Sequence, residues 1–433
     1  MTTQTTANKF WAYVTIIIGG GLLLSGVMAG LSYLGLPLLS LSEHLLTPQL
    51  GQMAAIFLGL ICGFLAVYHG FSAALNRPSQ LLRLPLPRFF WLAFALVLGL
   101  GNVILLFEVA EVYLFPPLFL LGAALPTLGV LAWAGRRLGW PITWRQGSLG
   151  LVAGSTLSIA VTLILGGILS AVIYLLIGPL VFLGEAFEGF SFFGGSSILE
   201  RIFFAPGIAI FLIITALEAP IPEEFAKVLG VLCFGRRRIS NERQAFMLGL
   251  ACGAGFAILE NMLYEGIYAQ YGGWSWGGVT LLRGLGAVLH PLGTGIVALG
   301  WFRMREGGFG KLLKAYLAAV GLHTLWNGGF LPFVYLTGLD YYAGLGPSLS
   351  IYGAAVEVML VIFLAAVSSG LWWLLYWLVT KLAREVEPAL ASTRVSSRAL
   401  AGWALATVLV ITPIGAALGP AWEEIQAIVL AGG

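Results

Sequence analysis

The chain has 433 residues, of which 59% are hydrophobic and only 9% charged, and its formal net charge is +3. Soluble domains carry about a quarter charged residues, so this composition excludes an ordinary water-soluble fold. The small positive charge sits in the stretches between apolar runs and leaves no basic footprint for a nucleic-acid partner.

Taken in chain order, apolar runs long enough to cross a hydrocarbon core of about 30 Å recur throughout. They lie near 11–36, 50–74, 89–107, 113–135, 147–183, 202–235, 245–267, 280–302, 315–337, 349–379 and 400–421. The reading is an all-α polytopic transmembrane bundle of about eleven spans, a multi-pass protein of the cell membrane whose first partner is the lipid bilayer. Met1 to Leu36 carries too long an apolar stretch for a secretory signal and is expected to be an uncleaved anchor. With Lys9 inside, alternation of the spans places all but three of the 22 basic residues in cytoplasmic loops, as the positive-inside rule requires. The three exceptions are Arg201 and Arg283, expected near the outer side, and Lys227, within a span.

Content divides the chain further. Residues 1–200 form a transmembrane bundle with few ionisable groups inside its spans. Residues 201–340 carry polar groups at membrane depth, and 341–433 hold the last spans, with a polar cytoplasmic linker at 380–398. The Phe-rich stretch 185–200 reads as an outer interfacial loop or surface helix. Cys62, Cys233 and Cys252 lie in apolar runs without paired spacing and are expected to pack as core. Gly249 and Gly253 make a GxxxG step, and Gly293, Gly295 and Gly300 recur on another span, so the polar helices are able to approach closely.

A charge at the bilayer centre costs a few kcal/mol even on lenient scales (~2.5–3.5), so each one needs a reason. Pro220-Ile221-Pro222 breaks an incoming helix and leaves a new N-terminus beside Glu223 and Glu224, where the helix dipole favours carboxylates. Glu223 and Lys227 are four apart and share a face. The next span carries Phe256, Glu260 and Asn261, a third carries His290-Pro291, and a fourth carries His323 and Asn327, again four apart. Counted from the cytoplasmic ends, Glu223, Glu260, His290, His323 and Asn327 all fall at depths of about 13–22 Å. Common depth on separate helices points to one shared polar site.

Carboxylates with imidazoles can take a proton from water, while Asn and His donors stabilise an oxyanion, and together they hydrolyse an amide. The same donors suit Zn²⁺, held by Glu223, His290 and His323 with an open position. Asp340 is the only Asp, which excludes an aspartyl dyad, and neither HExxH nor GxSG occurs. A proton- or ion-coupled transporter is the alternative, because intramembrane Glu, His and Lys also mark ion pathways. Glu423 and Glu424, Glu108 and Glu111, Glu357, His44 and His69 read as surface, interfacial or bundle-packing residues, and Glu218 as a candidate for the cavity mouth.

Glu223-Glu224-x-x-Lys227, Phe256-x-x-x-Glu260-Asn261, His290 followed by glycines, and His323-x-x-Trp326-Asn327 resemble the ordered motifs of the PrsW-family intramembrane proteases. That family is grouped with the CAAX prenyl endopeptidases and bacteriocin-immunity proteins. The resemblance covers about residues 202–337 and implies a helical membrane protease in which Glu223 or Glu224 activates water. It implies that His290 and His323 assist, that Asn327 joins the oxyanion hole, and that Glu260 belongs to the catalytic set, supported by Lys227, Asn261 and Phe256. The expected substrate is a membrane-anchored protein, in bacteria an anti-sigma factor. On the favoured, glutamic reading no cofactor is needed; the metal reading calls for Zn.

Overall fold

The structure, a computed structural model, describes residues 2–39, 46–188, 214, 216–232, 239–269, 271, 273–329 and 349–384. Among these the architecture is all-α, and the only extended pairing is an isolated antiparallel bridge between Leu81 and Thr143. Among the described residues, eight helical segments are long and apolar enough to cross a membrane: Lys9–Tyr33, Leu50–Ala74, Pro87–Ile104, Leu114–Arg137, Trp144–Ile173, Glu242–Ala269, Gly273–Gly307 and Met359–Arg384. Each matches one expected span. Of the other three, 202–235 is described only in part, 315–337 corresponds to a helix whose polar residues keep it out of that set, and 400–421 lies outside the described residues. The linker beyond Arg384 and the stretch 189–200 lie outside them as well.

The first helices are α1 (Thr2–Leu39), α2 (Leu46–Ile56), α3 (Phe64–Ala74), α4 (Pro87–Ile104) and α5 (Glu108–Arg137). A π-helical segment, Phe57–Gly63, joins α2 to α3, and a second, Gly154–Ser158, joins α6 (Trp144–Ala153) to α7 (Ile159–Glu188). Gly139 and Trp140 turn the chain after α5 with positive φ angles of 73° and 57°. Thr143 then starts α6 with a capping box, its Oγ1 accepting from the Gln146 amide at 3.2 Å while the Gln146 side chain accepts from the Thr143 amide at 2.9 Å.

The site helices follow: α8 (Pro220–Leu232), α9 (Glu242–Ala269), α10 (Gly273–Leu285), α11 (Leu289–Gly307) and α12 (Phe309–Gly328), then α13 (Leu349–Arg384). Asn241 caps α9 by accepting from the Gln244 amide at 2.8 Å. Gly308, at φ +77°, is the one-residue turn that folds α12 back along α11.

Helix α9 is the hub. It packs against α5, α6, α8, α10 and α11, and 89% of its most apolar window is buried inside the protein, against 11% for α1 and 6% for the Trp144–Ile173 segment. A helix apolar on all sides is stable either in lipid or inside a bundle. Here α1, α4, α7 and α13 leave much of their surface outward, while α9 and α11 are enclosed. Glycines make the enclosure tight. A Cβ added at Gly249 would meet the Thr294 carbonyl at 2.6 Å and Gly295 Cα at 2.8 Å, and one at Gly253 would meet Pro291 Cα at 2.8 Å. One at Gly255 would meet Leu151 Cα at 3.0 Å, and Ser155 of the π segment donates to the Gly255 carbonyl at 2.9 Å.

Candidate active site

The chain is helical at Ala216–Glu218, turns at Ala219 and re-enters a helix at Pro220. The Ala219 carbonyl accepts from the Glu223 amide at 3.2 Å, so the two prolines occupy the first turn, where no amide hydrogen is missed. Glu223, Glu224 and Lys227 all turn inward from α8 and are buried, Lys227 completely. Lys227 is held at its backbone too, since Cys252 Sγ of α9 donates to its carbonyl at 3.1 Å.

His290 stands where the sequence places it, for a different local reason. The expected span 280–302 runs through Pro291; instead α10 ends at Leu285 and α11 begins at Leu289. Pro291 therefore falls in the first turn of α11, with its ring where an amide would have no partner. His323 comes from α12, and Glu260 with Phe256 from α9.

Lys227 Nζ lies 3.0 Å from Glu223 Oε2, 2.8 Å from Glu224 Oε1 and 2.7 Å from His290 Nδ1, with the Phe256 ring centroid 4.1 Å away. An ammonium has three hydrogens and no acceptor, so all three end on these groups and His290 Nδ1 must accept. His290 then carries its proton on Nε2, which is 2.6 Å from Glu260 Oε2, with the N–H directed off the line between the atoms. On the other side, His323 Nδ1 is 3.0 Å from Glu224 Oε1 and 3.7 Å from Glu223 Oε2. It donates to Glu224, and the two imidazoles meet edge to face at 4.9 Å. Glu224 Oε2 is buried without a hydrogen-bond partner among the described residues and rests against Gly293, where an added Cβ would come to 3.0 Å.

Two ionisable residues that the sequence did not single out for the site stand near it, and the first of them reaches it. Arg283 of α10, expected near the outer side, places Nη2 2.7 Å from Glu260 Oε2 and donates from Nε to Asn261 Oδ1 at 2.6 Å. Its guanidinium also lies 4.8 Å over the Tyr264 ring. Asn261 in turn donates to the Ala123 carbonyl of α5 at 3.1 Å, so it braces Arg283 from outside the central cluster. The signal for it in the sequence is a lone Arg inside an apolar span, which needs a counter-charge. Glu265 is the second, fully buried on α9 and accepting from Trp276 Nε1 at 3.3 Å. Glu218 bonds Ser170 of α7. Asn327 lies one turn beyond His323 and is half-buried. His69, expected to be interfacial, is buried inside the bundle with its ring 5.0 Å from Tyr68, because α3 packs along α1. Cys62 and Cys252 are buried and form no disulfide among the described residues, and Cys233 lies outside the described residues, as do His44, Asp340, Glu423 and Glu424.

Four side chains thus offer one ligand atom each within 4.8 Å of one another: Glu223, Glu224, His290 and His323. Two carboxylates and two imidazoles are a fitting donor set for Zn²⁺ by chemistry and number.

The family model described as PrsW family intramembrane metalloprotease matches residues 155–372, half of the chain. The chain belongs to the PrsW family. The match takes in every site helix, from the π segment before α7 to most of α13. Membership makes this PrsW protein an intramembrane protease, and it favours hydrolysis over transport. The family description names the metallo type, and the Glu/His group offers donors close enough together to hold a metal ion. No curated protein and no solved structure shows a significant match to the chain.

Proposed function

We propose that this protein hydrolyses a peptide bond in membrane-anchored proteins, with Glu223 as the base that activates water. The observation carrying this reading is that Glu223, Glu224, His290 and His323, from three helices, converge in one buried cluster. Glu223 is chosen over Glu224 for reach. Its side chain is 10% exposed against 1%, and a base must come within hydrogen-bond distance of the proton it takes. Glu224, accepting from both Lys227 and His323, is the positioning carboxylate. With its Nδ1–H donated to Glu224 in a hydrogen bond, His323 keeps its Nε2 lone pair for the reacting groups, and Asn327, on the same face one turn on, supplies an amide donor to the oxyanion. Glu223 then returns its proton to the leaving amine. Ile221 and Phe225, exposed apolar residues of α8, favour lateral arrival of a substrate helix from lipid.

The metal reading has its own support in the four converging donors. Glu223, Glu224, His290 and His323 would hold Zn²⁺, which when bound would supply Lewis acidity to the scissile carbonyl. The ordered motifs also support placing the family with the CAAX prenyl endopeptidases and bacteriocin-immunity proteins, and a bacterial anti-sigma factor as substrate.

The test is cleavage of a panel of single-span membrane substrates by purified, reconstituted protein. Glu223→Gln, Glu224→Gln and His323→Ala are each expected to lower the rate at least 100-fold, at the low end of the range for general acid–base groups (about 10²–10⁴). Cleavage unaffected by 1,10-phenanthroline supports the glutamic mechanism. Inhibition reversed by Zn²⁺ supports the metal mechanism. No cleavage of any substrate, with mutant-sensitive proton flux, would transfer the site to a transporter.

A further inference from the structure

Lys227 occupies the position that a bound cation needs. Its Nζ touches Glu223 Oε2, Glu224 Oε1 and His290 Nδ1 at 3.0, 2.8 and 2.7 Å, atoms of a type that binds metals, on three of the four residues grouped closely enough to hold an ion. A zinc ion would sit at about 2.0–2.2 Å from the same atoms, which leaves no room for the ammonium to keep its contacts. Charge balance points the same way. Two carboxylates with one ammonium leave a buried net charge of −1, and adding a divalent ion without removing the ammonium makes it +1. Removing the ammonium as the ion enters makes the cluster neutral, the state a low-dielectric interior favours. Glu260 does not alter this count, because Arg283 already pairs with it at 2.7 Å.

We propose that Lys227 is the cluster's resident counter-cation and competes directly with a divalent metal, so that ammonium and metal define two mutually exclusive states of the site. Metal enters only as Lys227 swings out of contact with Glu223, Glu224 and His290, and Lys227 closes the cluster again when metal leaves. The metal-free site is consequently a finished ion cluster with every ammonium hydrogen bonded. The inference rests on the proposed site but not on what the site hydrolyses, and its test reads metal binding alone.

Zn²⁺ binding is measured by calorimetry and by metal content after desalting, on the full chain in detergent. Wild type is compared with Lys227→Met, which keeps the side-chain length without the charge, and with Lys227→Arg, which keeps the charge. Lys227→Met is expected to bind Zn²⁺ at least tenfold more tightly than wild type, Lys227→Arg no more tightly, and Lys227→Met with Glu224→Gln to lose the gain. Equal affinity in wild type and Lys227→Met, weaker binding in Lys227→Met, or a gain that survives Glu224→Gln overturns the proposal. Should Lys227→Met fail to fold, wild type answers by mass spectrometry. The buried Lys227 amine is expected to resist an acylating reagent without metal and to become labelled when Zn²⁺ is added, and unchanged labelling overturns the proposal. Absent cleavage alongside a tenfold gain in Zn²⁺ affinity would sink the protease reading and leave this one standing.

Discussion

Glu224 is the most constrained residue of the cluster. One oxygen accepts from Lys227 and His323, and the other is buried against Gly293. A methyl group at 293 would press on that oxygen from 3.0 Å, closer than ordinary van der Waals contact. Gly293→Ala is therefore expected to lower cleavage at least tenfold while the helical circular dichroism stays at the wild-type level; wild-type cleavage would remove Gly293 from the site. Arg283 acts through a neighbour. It holds Glu260, which holds His290 on its Nε2 side. Arg283→Met leaves a buried carboxylate without its counter-charge, and breaking such a pair costs up to about 3–5 kcal/mol, less here because both side chains keep some exposure. The expected result is a lower melting temperature and a reduced kcat at unchanged KM, both partly restored by Arg283→Lys. A variant that melts and cleaves as wild type would contradict the link.

Helices place these residues through glycine. The α9–α11 crossing puts Gly253 against His290 and Pro291, so the closeness of the two helices and the position of the imidazole share one cause. In lipid, helix association depends on such close packing because no hydrophobic drive brings helices together. Gly253→Leu is expected to force α9 and α11 apart, destabilising the protein by about 1–3 kcal/mol as overpacking does, and to abolish cleavage. Thermal unfolding in detergent and the yield of monodisperse protein read the first effect; wild-type stability would mean that the crossing tolerates a side chain. The breaks matter as much as the crossings. The turn at Ala219 and the gap between Leu285 and Leu289 set the acid pair and His290 at helix beginnings, where the chain is able to change direction toward a common centre.

At the scale of the molecule, loops with basic residues on or beside them are tied to one another among the described residues. Arg145 donates to the Arg77 carbonyl at 2.6 Å, Arg243 to the Leu138 carbonyl at 3.3 Å, and Arg305 to the Ile239 carbonyl at 3.0 Å. Arg303 grips Glu242 with two bonds of 2.8 and 2.6 Å. These contacts chain together the loops after α3, α5, α8 and α11, which the positive-inside rule assigns to the cytoplasm. Single cysteines at 78 and 310, in a background without Cys62, Cys233 and Cys252, are expected to react with an impermeant thiol reagent only when it is applied from the cytoplasmic side. Labelling of either from outside would overturn the orientation.

Sequence alone dictates the solvent, the helical class, the positions of the described spans and the identity of the cluster's charged residues. Each of these depends on composition, on run length or on the cost of a charge in lipid, all properties of a segment read in isolation. That Glu223, Glu260, His290 and His323 lie at one level is legible for the same reason, since distance along a helix is proportional to residue number. Partnership is not legible. That Lys227 pairs with both carboxylates and His290, that Arg283 answers Glu260, and that Glu265 finds Trp276 depend on which faces of separate helices meet. Those meetings are set by glycine crossings and helix breaks between segments far apart in the chain, so they emerge only once the helices have packed.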